Sequence, residues 1–200
     1  MKRFKETNGV LEHENRCPES IAQIQREVML FDQVVDLDHF VVTLQDSAEL
    51  LEYKDELLRL GGEIIEGPGL WPNDFCENSA FPDDLSMNFA SVLLKTGVIA
   101  VLASPHTPND QLDRFLAERG SNAIHHVAIN ITDFQRAQLG WLKRSFTPLS
   151  RLLDDKTLAQ QFLRNRQGQI LELIRRFAQN QVTFTCDNLK GLRQSEGEQR

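Results

Sequence analysis

The sequence predicts an α+β fold built from two β-α-β-β-β modules, and three observations carry that prediction. Residues 38–46 read DHFVVTLQD and residues 125–133 read HHVAINITD, nearly the same nine letters with a histidine second in each. Hydrophobic spacing changes from alternation to a helical period directly after each copy. Further strand-like runs follow each helix, as an internal repeat requires.

The elements follow in order. The first 16 residues are charged, polar and aperiodic, and are expected to be mobile. From Pro18, the run PESIAQIQREVMLF spaces Ile21, Ile24, Val28 and Leu30 as a helix behind a proline suited to a first turn. LDHFVVTL then alternates, with Phe40, Val42 and Leu44 on one face and His39, Val41 and Thr43 on the other. DSAELLEYKDELLRLGG is a helix capped by Asp46 or Ser47, with an apolar stripe of Leu50, Leu51, Leu57, Leu58 and Leu60, and is ended by Gly61-Gly62. EIIEG is a strand, PGLWPNDFCENSAFPDD a long loop, and SMNFASVLLKTGVIAVLASP a hairpin turning near Thr96-Gly97.

A connecting helix over PNDQLDRFLAERG is capped by Asn109 or Asp110 and closed by Gly120. The pattern then restarts with strand IHHVAINI, helix TDFQRAQLGWLKRSF, and strand candidates LSRLLDD, LAQQFLRN and QILELIRR. The resulting organisation is an N-terminal extension with a helix over 1–35 and a first module over 36–106. A connecting helix over 107–121, a second module over 122–177, and a C-terminal turn and helix over 178–200 complete it.

Composition bounds the function. A chain of 200 residues that is 40% hydrophobic can bury a core, and its formal net charge of −7 and pI near 5.3 argue against binding nucleic acid or an anionic membrane surface. No apolar run approaches the ~18 residues of a membrane span, and MKRFKETNGV lacks the apolar centre of a signal peptide. Cys17, Cys76 and Cys186 are odd in number, far apart and form no CxxC pair, so reduced thiols in a cytoplasm are expected rather than a disulfide.

Strand parity selects the candidate site. Val127, Ile129 and Ile131 form an apolar face that includes His125, which is read as structural, while His126 lies on the opposite face. His39 occupies the matching face of the first copy, so pseudo-twofold symmetry aims the two imidazoles at one concavity. In QILELIRR, Glu172 stands between Ile170 and Ile174, and a carboxylate on an apolar strand face is costly without a cationic partner. Two histidines and one carboxylate are the donor set of non-haem Fe(II) enzymes. His13 and His106 lie in loop-like sequence and are read as solvated.

These residues resemble the vicinal oxygen chelate superfamily, which includes glyoxalase I, methylmalonyl-CoA epimerase and ring-cleaving dioxygenases. FLAERGSNAIHHVAINITDF is similar to the epimerase pattern and closer to the C-terminal, metal-binding half of the 4-hydroxyphenylpyruvate dioxygenases. The resemblance, spanning about residues 36–199, implies paired modules forming a curved mixed sheet around a metal. It places His39 of LDHFVV, His126 and Glu172 of ILELIRR at the family's ligand positions. It also implies substrate contacts for Gln160 and Phe162 in LAQQFL and for Phe184 in FTCDNLKGL, where Asn188 and Leu192 stay in register. Ser91 falls near a family serine that contacts substrate.

Departures qualify the likeness. This chain has two modules where the dioxygenase has about four, VLASPHTP replaces a PxNEP segment, and Thr185 and Asp187 replace two tail glycines. Epimerases and glyoxalases add a Gln or Glu near the end of the first module's last strand. Ile99, Ala100 and Val101 stand there and offer no side-chain ligand.

The expectation is therefore a Fe(II)-dependent, dioxygenase-like enzyme acting on a small aromatic 2-oxo acid, with Mn, Co, Ni or Zn as other divalent metals the site could take. Monomer and homodimer both remain open, as do lid and disorder for the acidic loop 72–84. One alternative is an isomerase or lyase of the same superfamily, which needs a general base; no inner-face carboxylate beyond Glu172 is expected. A metal-free protein that binds a small ligand is the other.

Overall fold

A strand longer than the alternating run organises the molecule. In the computed structural model, which describes residues 4–7, 10–13, 16–77, 85–178 and 182–198, β4 (Gln33–Thr43) runs for 11 residues through the first histidine. It pairs antiparallel with β8 (Ala123–Asn130), the strand of the second copy, so the two repeats meet along their first strands. Each then pairs in parallel with the last strand of its own module: β4 with β7 (Ile99–Pro105), and β8 with β12 (Ile170–Arg176).

Outward from β7 come β6 (Met87–Leu93) and β5 (Glu63–Trp71), both antiparallel. Outward from β12 comes β11 (Leu158–Arg164), edged by β9 (Thr147–Pro148) and β10 (Leu153–Asp154). With β3 (Glu27–Leu30) on β4, the described residues form a curved, unclosed mixed sheet of ten strands.

Three helices start where a side chain satisfies orphaned amides. Asp46 caps α2 (Ser47–Arg59) by accepting from Glu49 N, and the Glu49 carboxylate accepts from Gln45 N, the residue before the cap. Asp110 caps α3 (Gln111–Arg119) and Asp133 caps α4 (Phe134–Leu142) in the same way. α2 and α4 lay Leu50, Tyr53, Leu57 and Trp141 on the convex face, against Phe40, Val42, Val127, Ile129, Leu171 and Leu173. α3 and α5 (Cys186–Glu198) lie over the concave face, where Leu112 and Leu189 meet Val41, Met87, Phe89 and Val101.

Four expectations are corrected. The helix read over residues 18–31 is one turn, α1 (Pro18–Ile21), followed by strand β3. Phe31 and Asp32, both at positive φ, make the two-residue turn that returns the chain into β4, so the spacing of Val28 and Leu30 was strand alternation. In the N-terminal stretch, β1 (Phe4–Thr7) and β2 (Val10–His13) pair antiparallel, so His13 ends a strand; neighbouring residues 1–3, 8–9 and 14–15 lie outside the described residues. β5 continues to Trp71, shortening the loop, of which residues 78–84 lie outside the described residues. Cys76 and Cys186 form a disulfide with Cα atoms 5.8 Å apart, leaving Cys17 free. The thiol argument for a reducing compartment falls with it, and among the described residues no helix is long and apolar enough to cross a membrane.

Candidate metal centre

Register alone brings the three predicted donors together. His126 stands opposite Val41 on β4, while Ala128 stands opposite both His39 on β4 and Glu172 on β12. Their side chains share the concave face, and the His39, His126 and Glu172 donor atoms lie within 4.8 Å of one another. His39 Nε2 is 3.1 Å and His126 Nε2 3.2 Å from the same Glu172 oxygen, Oε2. The three residues are 1%, 8% and 1% exposed.

The two modules are not equivalent at this site. Glu172 lies two residues along from His126 in the β8–β12 register, and the same step in the β4–β7 register leads from His39 to Val101. Val101 lines the cavity but its side chain has no donor atom, so the pseudo-twofold brings together three side-chain donors.

Charge within the cluster is arranged for a cation. Burial disfavours a charged His39, yet Glu172 and Asp38 outweigh it and push its pKa up to about 9. Burial likewise works against an ionised Glu172, but His39 and His126 hold it down at about 2. His126 is lowered, by burial first and by the charge of His39. Glu172 Oε2 meets both Nε2 atoms at ion-pair distance but makes no hydrogen bond, an arrangement that a metal ion held with the two Nε2 atoms would satisfy. The donor set fits a divalent metal.

Both histidines have a partner at Nδ1. Asp38 Oδ1 lies 2.8 Å from His39 Nδ1, and Arg176 clamps the Asp38 carboxylate with two bonds of 2.9 Å. Those bonds from His39 and Arg176 keep Asp38 well below the usual carboxylate range, although burial opposes it. His125 Nδ1 lies 2.9 Å from His126 Nδ1. Parity had assigned His125 to the apolar face, but a register shift between Val41 and Val42 makes it an extra residue in β8. Ile124 and Val127 therefore both face the convex core while His125 and His126 both line the cavity.

The cleft over the cluster holds a cavity of about 50 Å³ and is walled mainly by apolar side chains. Phe162 places its ring 4.8 Å from that of His126, and Phe184 lies 4.9 Å from His39 and under the Arg176 guanidinium. Gln160 donates to Glu172 Oε1 and leaves its own Oε1 buried without a partner. Asn188 lies outside this lining: its amide bonds Asp155 and the Leu158 carbonyl, fixing α5 to β11. Ser91 is fully buried and bonds Glu66. The Leu192 side chain lies outside those described.

Sequence reasoning missed three residues here. His125 was misplaced by the bulge, and Arg193 lines the cleft from α5 with its Nε on the Leu85 carbonyl. Glu66 shares a face with Ser91 across β5–β6, so a second carboxylate does occupy the inner side, against the expectation of none. Burial pushes it up to about 7, opposed by bonds from Phe184 N and Ser91 and by Arg176.

No protein-family model and no curated protein matches the sequence. Solved structures do match in fold. A triple mutant of 4-hydroxymandelate synthase from Streptomyces coelicolor superposes with TM-score 0.57 at 20% identity, covering 82% of this chain and 55% of that one. This chain thus spans about half the synthase. Methylmalonyl-CoA epimerase from Mycobacterium tuberculosis gives TM-score 0.51 at 16% identity over 72% of this chain and 90% of that one. A hypothetical protein from Bacillus halodurans gives 0.51 at 15% over 72% and 96%. Both named enzymes are vicinal oxygen chelate proteins, and the fold of this chain is theirs.

Proposed function

We propose that this chain is a metal-dependent enzyme of the dioxygenase type, using Fe(II) on a small, aromatic 2-oxo acid. One observation carries the reading: three buried donors, His39, His126 and Glu172, with Val101 where symmetry would put a fourth. Two imidazoles and a carboxylate leave coordination positions open and are the facial donor set of non-haem Fe(II) oxygenases. Bound iron would supply Lewis acidity and one-electron chemistry toward a chelating keto acid and dioxygen.

The chain's own residues have separate tasks in this reading. Gln160 offers its unpartnered Oε1 to a substrate donor while its amide nitrogen orients Glu172. Phe162 and Phe184, one beside each histidine, sandwich a flat side chain. Leu189 of α5 and Leu112 of α3 narrow the cleft and keep water from the donors.

A second reading, a divalent-metal isomerase or lyase, is favoured by Glu66. A half-buried carboxyl raised to about 7 on the inner sheet face is poised for proton transfer at neutral pH. One solved structure of similar fold is a methylmalonyl-CoA epimerase, which makes such chemistry available to this architecture.

Metal analysis separates the readings. Protein purified without chelators is expected to hold about one equivalent of iron, lost in His126→Ala, and to consume oxygen with an aromatic 2-oxo acid. Manganese, cobalt or nickel in place of iron, with turnover in anoxic buffer, would transfer the assignment to the isomerase. No metal after reconstitution with Fe(II) would overturn both.

A further inference from the structure

We infer that His125 is the positioning residue that fixes the tautomer and aim of the metal ligand His126. The inference rests on the metal reading above and extends it to a residue outside the three donors.

The argument begins with the backbone. The β4–β8 ladder slips twice, and each slip inserts one extra residue directly before a ligand histidine: Asp38 before His39, and His125 before His126. A bulge turns two successive side chains toward the same side of a sheet, which regular alternation forbids. Each extra residue can therefore reach the ring that follows it. Each does so at Nδ1, Asp38 at 2.8 Å and His125 at 2.9 Å. In both rings the other nitrogen, Nε2, faces Glu172 Oε2. The pseudo-twofold thus repeats a supporting contact as well as a ligand.

Protons follow from this geometry. A histidine that binds metal through Nε2 is neutral there, so its hydrogen sits on Nδ1 and must be donated. At His39 the acceptor is a carboxylate that Arg176 keeps ionised. At His126 the only acceptor placed there by the bulge is His125 Nδ1, which must then be unprotonated, with its own hydrogen on Nε2. Packing holds that arrangement: the His125 ring lies 4.8 Å from the Phe115 ring of α3 and is 9% exposed. The two ligands consequently differ in strength. His39 faces a carboxylate at Nδ1, whereas His126 faces an imidazole nitrogen.

The test uses full-length protein, stripped with chelator and titrated with Co(II), whose visible spectrum reports coordination. His125→Phe keeps the ring packing but accepts no hydrogen bond, and its Co(II) affinity is expected to fall about 10- to 100-fold. His125→Asn restores an acceptor where Asp38 carries one in the first module, and is expected to recover most of the loss with a wild-type spectrum. A parallel measurement needs no mutant: in ¹⁵N-histidine-labelled wild type loaded with Zn(II), His126 is expected to carry its proton on Nδ1. Equal affinity in all three proteins, or a His126 that binds Zn(II) through Nδ1, would overturn the inference while leaving the metal site standing. A wild type that takes up no Co(II) would overturn the metal reading and this one together.

Discussion

Asp38 illustrates how a single residue ties stability to chemistry. It is buried between a candidate ligand and Arg176, and half of its work is to keep that arginine's charge compensated. Breaking a buried pair by removing one charge typically costs about 3–5 kcal/mol, because the partner stays behind uncompensated. Asp38→Asn is therefore expected to lower the melting temperature and, by weakening His39 as a donor, to reduce metal affinity about 10-fold or more. Thermal unfolding and Co(II) titration check the two effects separately. An unchanged affinity beside a lowered melting point would confine Asp38 to folding.

The triad itself was legible at this scale because alternation and repetition are both written in the letters. His125 was not, since a bulge breaks parity without leaving a glycine or proline to mark it. Its neighbour His126 escaped the error because parity was counted from Val127, Ile129 and Ile131, beyond the bulge.

At the scale of elements, the join between β5 and the segment leading into α5 is the informative one. The backbone amide of Phe184 donates to the Glu66 carboxylate, so one side chain of an edge strand anchors the residue that roofs His39. Glu66 has a folded pKa near 7, above its ordinary value of 4.5, so the folded state binds more protons than the unfolded state between those limits. Stability must then fall as pH rises from about 4.5 to 7 and level off beyond. Glu66→Gln keeps the acceptor and removes the charge. Its melting temperature is expected to exceed that of the wild type above pH 7 and to match it near pH 4. Equal pH slopes in both proteins would remove Glu66 from the linkage.

Element boundaries were the less legible part of the sequence. Val28 and Leu30 fit two periods at once, and only the positive-φ turn at Phe31 and Asp32 decides for strand. The second strand of the second module, read over LSRLLDD, is reduced to the pairs Thr147–Pro148 and Leu153–Asp154 on one edge of β11.

At the scale of the whole molecule, the ligands and the cover over them belong to different mechanical parts. His39, His126 and Glu172 stand on adjacent central strands, held by the sheet ladders and the convex core. The cover comes from α5, which is tied to the first module by Cys76–Cys186 across a sequence separation of 110. No spacing rule could have paired those cysteines, since only the fold returns the tail to the turn after β5. A cross-link closing so long a loop stabilises mainly by restricting the unfolded chain, by about 2–4 kcal/mol. Cys186→Ser is therefore expected to lower the free energy of unfolding by an amount in that range and to speed amide exchange along α5. Exchange in β4 and β8 should stay slow under native conditions, and metal content should stay unchanged, because neither depends on the tie. Exchange in α5 as slow as in the wild type would show that Asn188, on Asp155 and the Leu158 carbonyl, and Arg193, on the Leu85 carbonyl, hold the cover without the disulfide. Loss of metal together with the disulfide would instead make the cover part of the site's own framework.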